Sequence, residues 1–230
     1  MTKLLIVNAD DFGASHGINR GIMEAHQRGI LTSTSLMVNS RAAEEAVALG
    51  RAAPNLSVGL HADLEDELRM PAGDLDRRLR QALRAQWTRF LELTGRRPTH
   101  LDSHHNVHRD PRLLPHFLGL AQEFNLPLRE HSPVRYFSSF YGQWAGETHL
   151  EQISVESLAR MLATEIPEGL TELSCHPGYA ESDYPGRYAA EREAELRTLC
   201  DPRIRQALAD QSIRLISYHD FARPPLTAGA

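Results

Sequence analysis

The chain has 230 residues, 41% of them hydrophobic and 24% charged, with a formal net charge of −5 and a pI near 6.2. That length suits one sizeable domain with a full core, and the acidic balance argues against a nucleic-acid partner, which would need a basic footprint. No apolar run approaches the roughly 20 residues of a transmembrane helix, and Cys175 and Cys200 are too few for a disulfide framework.

The N-terminus passes Lys3, the only lysine, straight into an apolar run that is too short and too quickly acidic for a signal peptide. A cytoplasmic protein with reduced thiols is expected. Leu4 to Ala9 reads as a buried strand. A helix follows from Gly17 to Arg28, stopped by Gly29. Thr32 to Val38 is a second strand, Arg41 to Ala53 a helix, and Leu56 to Leu60 a third strand. Leu75 to Thr94 is a long helix closed by Gly95. Thr99 to Ser103 is a fourth strand, Pro111 to Phe124 a helix with Pro in its first turn, and Leu126 to Arg129 a fifth strand. His131 to Ile153, rich in aromatics, breaks the rhythm and reads as a functional loop, a lid. Val155 to Ile166 is a helix, Leu170 to Cys175 a strand, Glu191 to Leu208 one or two helices, and Ile213 to Ser217 a last strand. One domain is expected over residues 1–222, with the lid inserted at about 131–153 and a flexible tail at 223–230.

Strands alternating with helices at this spacing predict an α/β fold with a parallel sheet. The expected architecture is a distorted (β/α) barrel of about seven parallel strands; an open doubly wound sheet is the alternative.

In such folds reactive groups stand at the C-terminal ends of strands. The predicted ends carry Asp10-Asp11, Asn39, His61, His104-His105-Asn106-Val107-His108, Arg129-Glu130 and His176. Ionisable or metal-binding types on almost every strand of one rim argue for a reaction centre. An isolated Asp-Asp pair is as often a helix cap or solvated turn. Successive strand side chains point opposite ways, so Asp10 and Asp11 are expected to do different jobs, one binding a metal and the other acting as a base. A lone His61 would more often be a packed residue than a ligand. Together with Asp11 and His104 it makes a mixed carboxylate and imidazole set, the three-ligand arrangement of a catalytic rather than a structural metal site. Such donors suit Zn, Co, Ni or Mn, and Mg less naturally; spacing alone does not choose among His104, His105 and His108. Asp102 shares a strand face with His100 and His104 and could orient a ligand. His176, held by Pro177-Gly178, suits a general acid. A Cys175–His176 nucleophilic pair is the weaker rival, because neighbours on a strand diverge. Arg129 is either a surface charge or the group that holds the base ionised.

These residues resemble a known family. Asn8-Ala9-Asp10-Asp11-Phe12-Gly13, Gly59-Leu60-His61, His100-Leu101-Asp102-Ser103-His104-His105 and Cys175-His176-Pro177 are similar, in order and over nearly the whole chain, to the YdjC/ChbG-like carbohydrate deacetylases. The resemblance implies a NodB/YdjC-like distorted barrel, one divalent metal ion (Mg2+ or Zn2+) and removal of acetyl from N-acetylated sugars. It implies Asp11, His61 and His104 as metal ligands, Asp10 as base, His176 as acid and Arg129 as support for the base. Many members carry a third histidine where this chain has Asn106. The run from Arg129 to Gly142 further resembles the hopanoid-biosynthesis-associated branch, which would make an N-acetylglucosaminyl hopanoid lipid the substrate in place of a chitooligosaccharide.

The expected reaction is metal-assisted hydrolysis of an acetamide, releasing acetate. Asn39, His108, Tyr136, Phe140 and Trp144 are candidate substrate contacts, the aromatics by stacking on a sugar face. The expected partner is an N-acetylated sugar or glycolipid, with transient membrane contact and a homodimer compatible with it. A phosphoesterase or other amidohydrolase is the rival enzyme, though no Gly-rich phosphate cradle is present. A carbohydrate- or lipid-headgroup-binding module is the non-enzyme alternative; it would use the lid aromatics and leave Asp10, Asp11 and His176 without purpose.

Overall fold

The computed structural model describes residues 2–69, 74–181 and 187–221; the predicted tail lies outside them. Strand β1 (Lys3–Phe12) is the spine of the molecule. From Leu5 to Phe12 its residues are buried on both faces, as a central parallel strand requires. It is followed by α1 (His16–Arg28), β2 (Ser33–Leu36), α2 (Ala43–Ala52), β3 (Ser57–Ala62), α3 (Glu65–Arg69), α4 (Leu75–Thr94), β4 (Leu101–Ser103), α5 (Leu114–Phe124), β5 (Arg135–Phe137), β6 (Gln143–Trp144), β7 (Glu147–Thr148), α6 (Val155–Thr164), β8 (Gly169–Cys175), α7 (Ala190–Cys200), α8 (Pro202–Asp210), β9 (Ile213–Leu215) and α9 (Tyr218–Phe221). Among the described residues no helix is long and apolar enough to cross a membrane.

Seven strands form one parallel sheet in the order β4-β3-β2-β1-β8-β5, with β9 also paired to β1. The sheet curls into a half-barrel. Its spine pairs with β8 from Lys3 to Ala9, with β9 over Lys3–Leu5 and with β2 from Asn8 onward, so β1 changes neighbour along one edge. Helix α4 lays Leu79, Leu83, Trp87 and Phe90 into the core at helical spacing, and Trp87 stacks on Phe124 at 3.9 Å.

The predicted fifth strand at 126–129 is not a strand. Only Leu128 bridges to Leu101, and Glu130 at φ 63° turns the chain away. The missing strand comes instead from within the expected lid: β5 pairs with β8, Arg135 opposite Thr171. The rest of that segment holds a hairpin, β6–β7, turned by Ala145 and Gly146, both at positive φ. The helical stretch expected from Glu191 to Leu208 is two helices, broken at Asp201, whose side chain caps α8.

Two local devices set the upper rim. Gly13, at φ 95°, lets the chain turn sharply after β1, and its N–H donates to Asn19 Oδ1 at 2.7 Å. Ser15 then caps α1 through Ile18 N–H. In β3, Gly59 has the His100 imidazole against it; an added Cβ would sit 2.4 Å from that ring.

Candidate active site

The C-terminal rim opens into a cavity of about 580 Å³, lined among others by Asp10, Asp11, His61, His104, His105, Asn106, Tyr136, Tyr141, His176, Tyr188 and Arg192. Asp10 and Asp11 both face it, which simple strand alternation forbids. The reason is local: β1 shifts register between Ala9 and Phe12, and Asp11 has φ 69°. The bulge turns both carboxylates to one side.

Asp11 Oδ1 stands 3.4 Å from His61 Nε2 and 3.2 Å from His104 Nδ1. Donors bound to one tetrahedral ion at about 2.0–2.2 Å would stand roughly 3.3 Å apart, so the set fits a divalent cation. Its electrostatics fit as well. Burial lowers the His61 pKa, but the charges of Asp102 and Asp10 outweigh it and push it up to about 10, so this position favours positive charge. His61 Nδ1 lies 2.8 Å from Asp102 Oδ1, the outer partner expected of a ligating histidine. Asp11 Oδ2 accepts from Arg192 Nη2 at 2.5 Å, which leaves Oδ1 for the imidazoles. Burial raises the Asp11 pKa, and the Arg192 charge with the two histidines brings it well below the usual range. At the lip, Glu65 Oε1 lies 2.9 Å from His105 Nε2 and 3.7 Å from His104 Nε2.

Beside this set Arg129, fully buried, donates to both oxygens of Asp10, at 2.7 and 2.8 Å. It also meets Asp102 at 2.8 Å and Glu172 at 2.6 Å. Burial opposes ionisation of Asp10, but the Arg129 charge and hydrogen bonds win and lower its pKa. Tyr218 O–H donates to Glu172 from the far side, and Asn8 Nδ2 donates to Asp10 Oδ1 at 2.9 Å. Asn106 Oδ1 is 3.5 Å from Arg129 Nη1.

His176 Nε2 stands 3.9 Å from Asp10 Oδ2. Burial pushes its pKa down to about 4 against the pull of Asp10 and Asp11. Cys175 is turned away, its thiol donating to Asn8 O, and burial raises its pKa well above the ordinary value. A Cys–His nucleophile is therefore excluded.

Of the expected substrate contacts only Tyr136 lines the cavity; its ring lies under the Arg129 guanidinium at 4.8 Å. Phe140 does not reach it, being fully buried in the core. Trp144 stacks on His149 at 3.6 Å on the exposed hairpin. His108 is buried, with Nδ1 2.6 Å from Ser103 Oγ and Nε2 3.3 Å from Glu130. Asn39 is exposed and borders a separate hollow with Asp63 and Gln86. Sequence reasoning placed Tyr141 in the aromatic segment without singling it out, and missed Tyr188, Arg192 and Glu195. The last three lie in or just before α7, whose buried face is charged and carries no strand-end signal.

Comparison with known proteins agrees with this architecture. The family model described as YdjC-like protein matches residues 4–210. The chain is 36% identical over 255 aligned positions to the chitooligosaccharide deacetylase of Serratia marcescens, covering 96% of this chain and all of that protein. Among solved structures, a candidate cellobiose-phosphate cleavage protein from Enterococcus faecalis V583 superposes with a TM-score of 0.83 at 29% identity, covering 97% of this chain and all of that one. A family 4 carbohydrate esterase from Streptomyces lividans shares the fold, with a TM-score of 0.59 at 15% identity over 94% of this chain and 93% of its own. A family match over nearly the whole described barrel, together with this full-length relative, makes the chain a member of the YdjC-like family.

Proposed function

We propose that the chain is a metal-dependent carbohydrate N-deacetylase that hydrolyses the acetamide of an N-acetylated amino sugar to acetate and a free amine. The observation that carries this reading is one cavity in which the Asp11, His61 and His104 donors adjoin Asp10 clamped by Arg129 on one side and His176 on the other. The deacetylase activity named for the Serratia marcescens relative supports it.

Asp11, His61 and His104 would hold the ion. A divalent ion there supplies Lewis acidity toward a carbonyl and lowers the pKa of water. Asp10 is the base: both its oxygens are fixed by Arg129, so it stays ionised and aimed into the cavity. His176 is neutral in the resting cleft, so the proton it gives to the leaving amine has to arrive during the reaction. Asp10 Oδ2 lies 3.9 Å from Nε2, so the proton taken by Asp10 would reach His176 through one bridging water or the substrate nitrogen itself. Protonation matters because an amide nitrogen leaves poorly as an anion. Tyr136 and Tyr141 offer ring surface to the sugar, and Ser138, Gln143 and Arg187 offer polar contacts.

Chitooligosaccharides are the proposed acceptor class, with an N-acetylglucosaminyl lipid as the rival acceptor. The test offers the purified chain diacetylchitobiose, an N-acetylglucosaminyl lipid and a sugar phosphate, and follows acetate and phosphate. Acetate from the first supports the proposal. Acetate only from the lipid moves the acceptor, and phosphate without acetate overturns deacetylation.

A further inference from the structure

Helix α7 and the residue two before it reach the back of His176. Glu195 is fully buried and accepts the His176 backbone N–H through Oε2. Its other oxygen, Oε1, accepts from Tyr188 O–H and lies 4.0 Å from His176 Nδ1. That ring nitrogen is buried and has no hydrogen-bond partner among the described residues. Nε2 points the other way, toward Asp10 and the cavity.

Tyr188 also ties this group to the segment over the cavity. Its hydroxyl accepts from Gly142 N–H at 2.8 Å, and its ring stacks on Tyr141 at 4.8 Å with 7° between planes. Tyr141 in turn lies edge-on to His176 at 5.6 Å. One turn away, Glu191 accepts from Thr148 and Gln143 of the hairpin. One phenol thus joins the cavity wall to the carboxylate behind His176.

We propose that Glu195 and Tyr188 are positioning residues for His176: Glu195 fixes the imidazole from behind so that Nε2 can deliver a proton, and Tyr188 holds Glu195 and couples it to the cavity wall at Tyr141–Gly142. This rests on His176 being the acid of the proposed deacetylation. A small rotation of the ring brings Nδ1–H onto Oε1, the second hydrogen bond that a proton-donating histidine needs to stay oriented. The other groups facing the pair are Asp10 and Asp11 from β1, Arg129 beyond β4, Arg192 from α7 and Tyr141.

The test exploits the leaving group. A sugar amine must be protonated to leave, whereas 4-nitrophenolate leaves unaided. Tyr188→Phe keeps the ring stack and removes only the hydroxyl; Glu195→Gln keeps the size and an acceptor oxygen. Each is compared with wild type and His176→Ala for turnover of diacetylchitobiose and of 4-nitrophenyl acetate, with far-UV circular dichroism to verify folding. The expected result is an amide-to-ester ratio of kcat that falls roughly tenfold or more in all three variants, with KM for the sugar little changed in Glu195→Gln. A ratio that falls in His176→Ala but not in Glu195→Gln or Tyr188→Phe overturns the positioning role; a purely structural role would lower both activities together and leave the ratio where it was. A ratio unmoved in His176→Ala removes the acid assignment itself, and the inference with it.

Discussion

Arg129 grips Asp10 with two parallel hydrogen bonds, Nη1 to Oδ2 and Nη2 to Oδ1. Such a fork fixes the carboxylate plane as well as its charge. If Asp10 is the base, Asp10→Asn keeps the shape and removes proton acceptance. Turnover of the acetylated sugar should fall about 10²- to 10⁴-fold, while metal affinity, read by calorimetry, stays within about threefold because Asp10 is outside the proposed ligand set. Near-normal turnover with metal bound would remove Asp10 from that role.

The same guanidinium meets Asp102 and Glu172. Arg129→Met would leave buried carboxylates without their cation. Losing one partner of a buried ion pair costs about 3–5 kcal/mol, to be read as a lower midpoint in urea unfolding. A loss under about 1 kcal/mol would mean that the carboxylates find other partners or protonate cheaply.

Burial pushes the Glu195 carboxyl up to about 8, against the hydrogen bonds from His176 N–H and Tyr188 and the Arg192 charge. A carboxyl with a raised pKa keeps, in the folded chain, a proton that the unfolded chain has already released. Stability therefore falls as pH rises from the ordinary glutamate range near 4.5 to about 8, with a slope of up to about one proton. Glu195→Gln should remove that contribution. Parallel stability profiles for the two proteins between pH 5 and 9 would show that Glu195 ionises normally.

Three aromatics of the 131–153 segment should separate by what they touch. Tyr141→Ala removes ring surface from the cavity and should raise KM for diacetylchitobiose about three- to tenfold. Trp144→Ala, out on the hairpin, should change neither KM nor kcat by more than about twofold. Phe140→Ala should cost about 3–5 kcal/mol of stability, as a core cavity does. A binding defect in Trp144→Ala with none in Tyr141→Ala would reverse this reading of the wall.

The rhythm of strands and helices was legible because parallel strands buried on both faces are continuous apolar runs, as in Leu4 to Ala9, and because Gly29 and Gly95 end their helices visibly. Asp10, Asp11, His61, His104 and His176 were legible for the same reason, since they stand at or just past strand ends, whereas Arg129 follows no true strand and Asn39 lies outside the cavity. What periodicity could not reveal was the bulge at Asp11, which depends on a single positive φ and turns two neighbouring carboxylates to one side. Nor could it place β5, three residues with no alternation whose pairing to β8 is wholly non-local. Phe140, Tyr141 and Trp144 look alike in sequence; only packing sends one to the core, one to the cavity and one to the surface. Arg192 and Glu195 sit on a helix that is buried nearly all round, so no polar face marked them as part of a site. The segment from Arg129 to Gly142 supplies β5 and part of the cavity wall.

The most direct measurement is acetate release from diacetylchitobiose by the purified chain before chelation, after chelation, and after adding back zinc or magnesium, with Asp11→Asn and His61→Ala carried in parallel. Activity that disappears with the chelator, returns with a divalent ion in wild type and does not return in either variant is the predicted result. Undiminished acetate release from fully chelated protein, or normal activity in both variants, would contradict a metal-dependent deacetylase built on Asp11, His61 and His104.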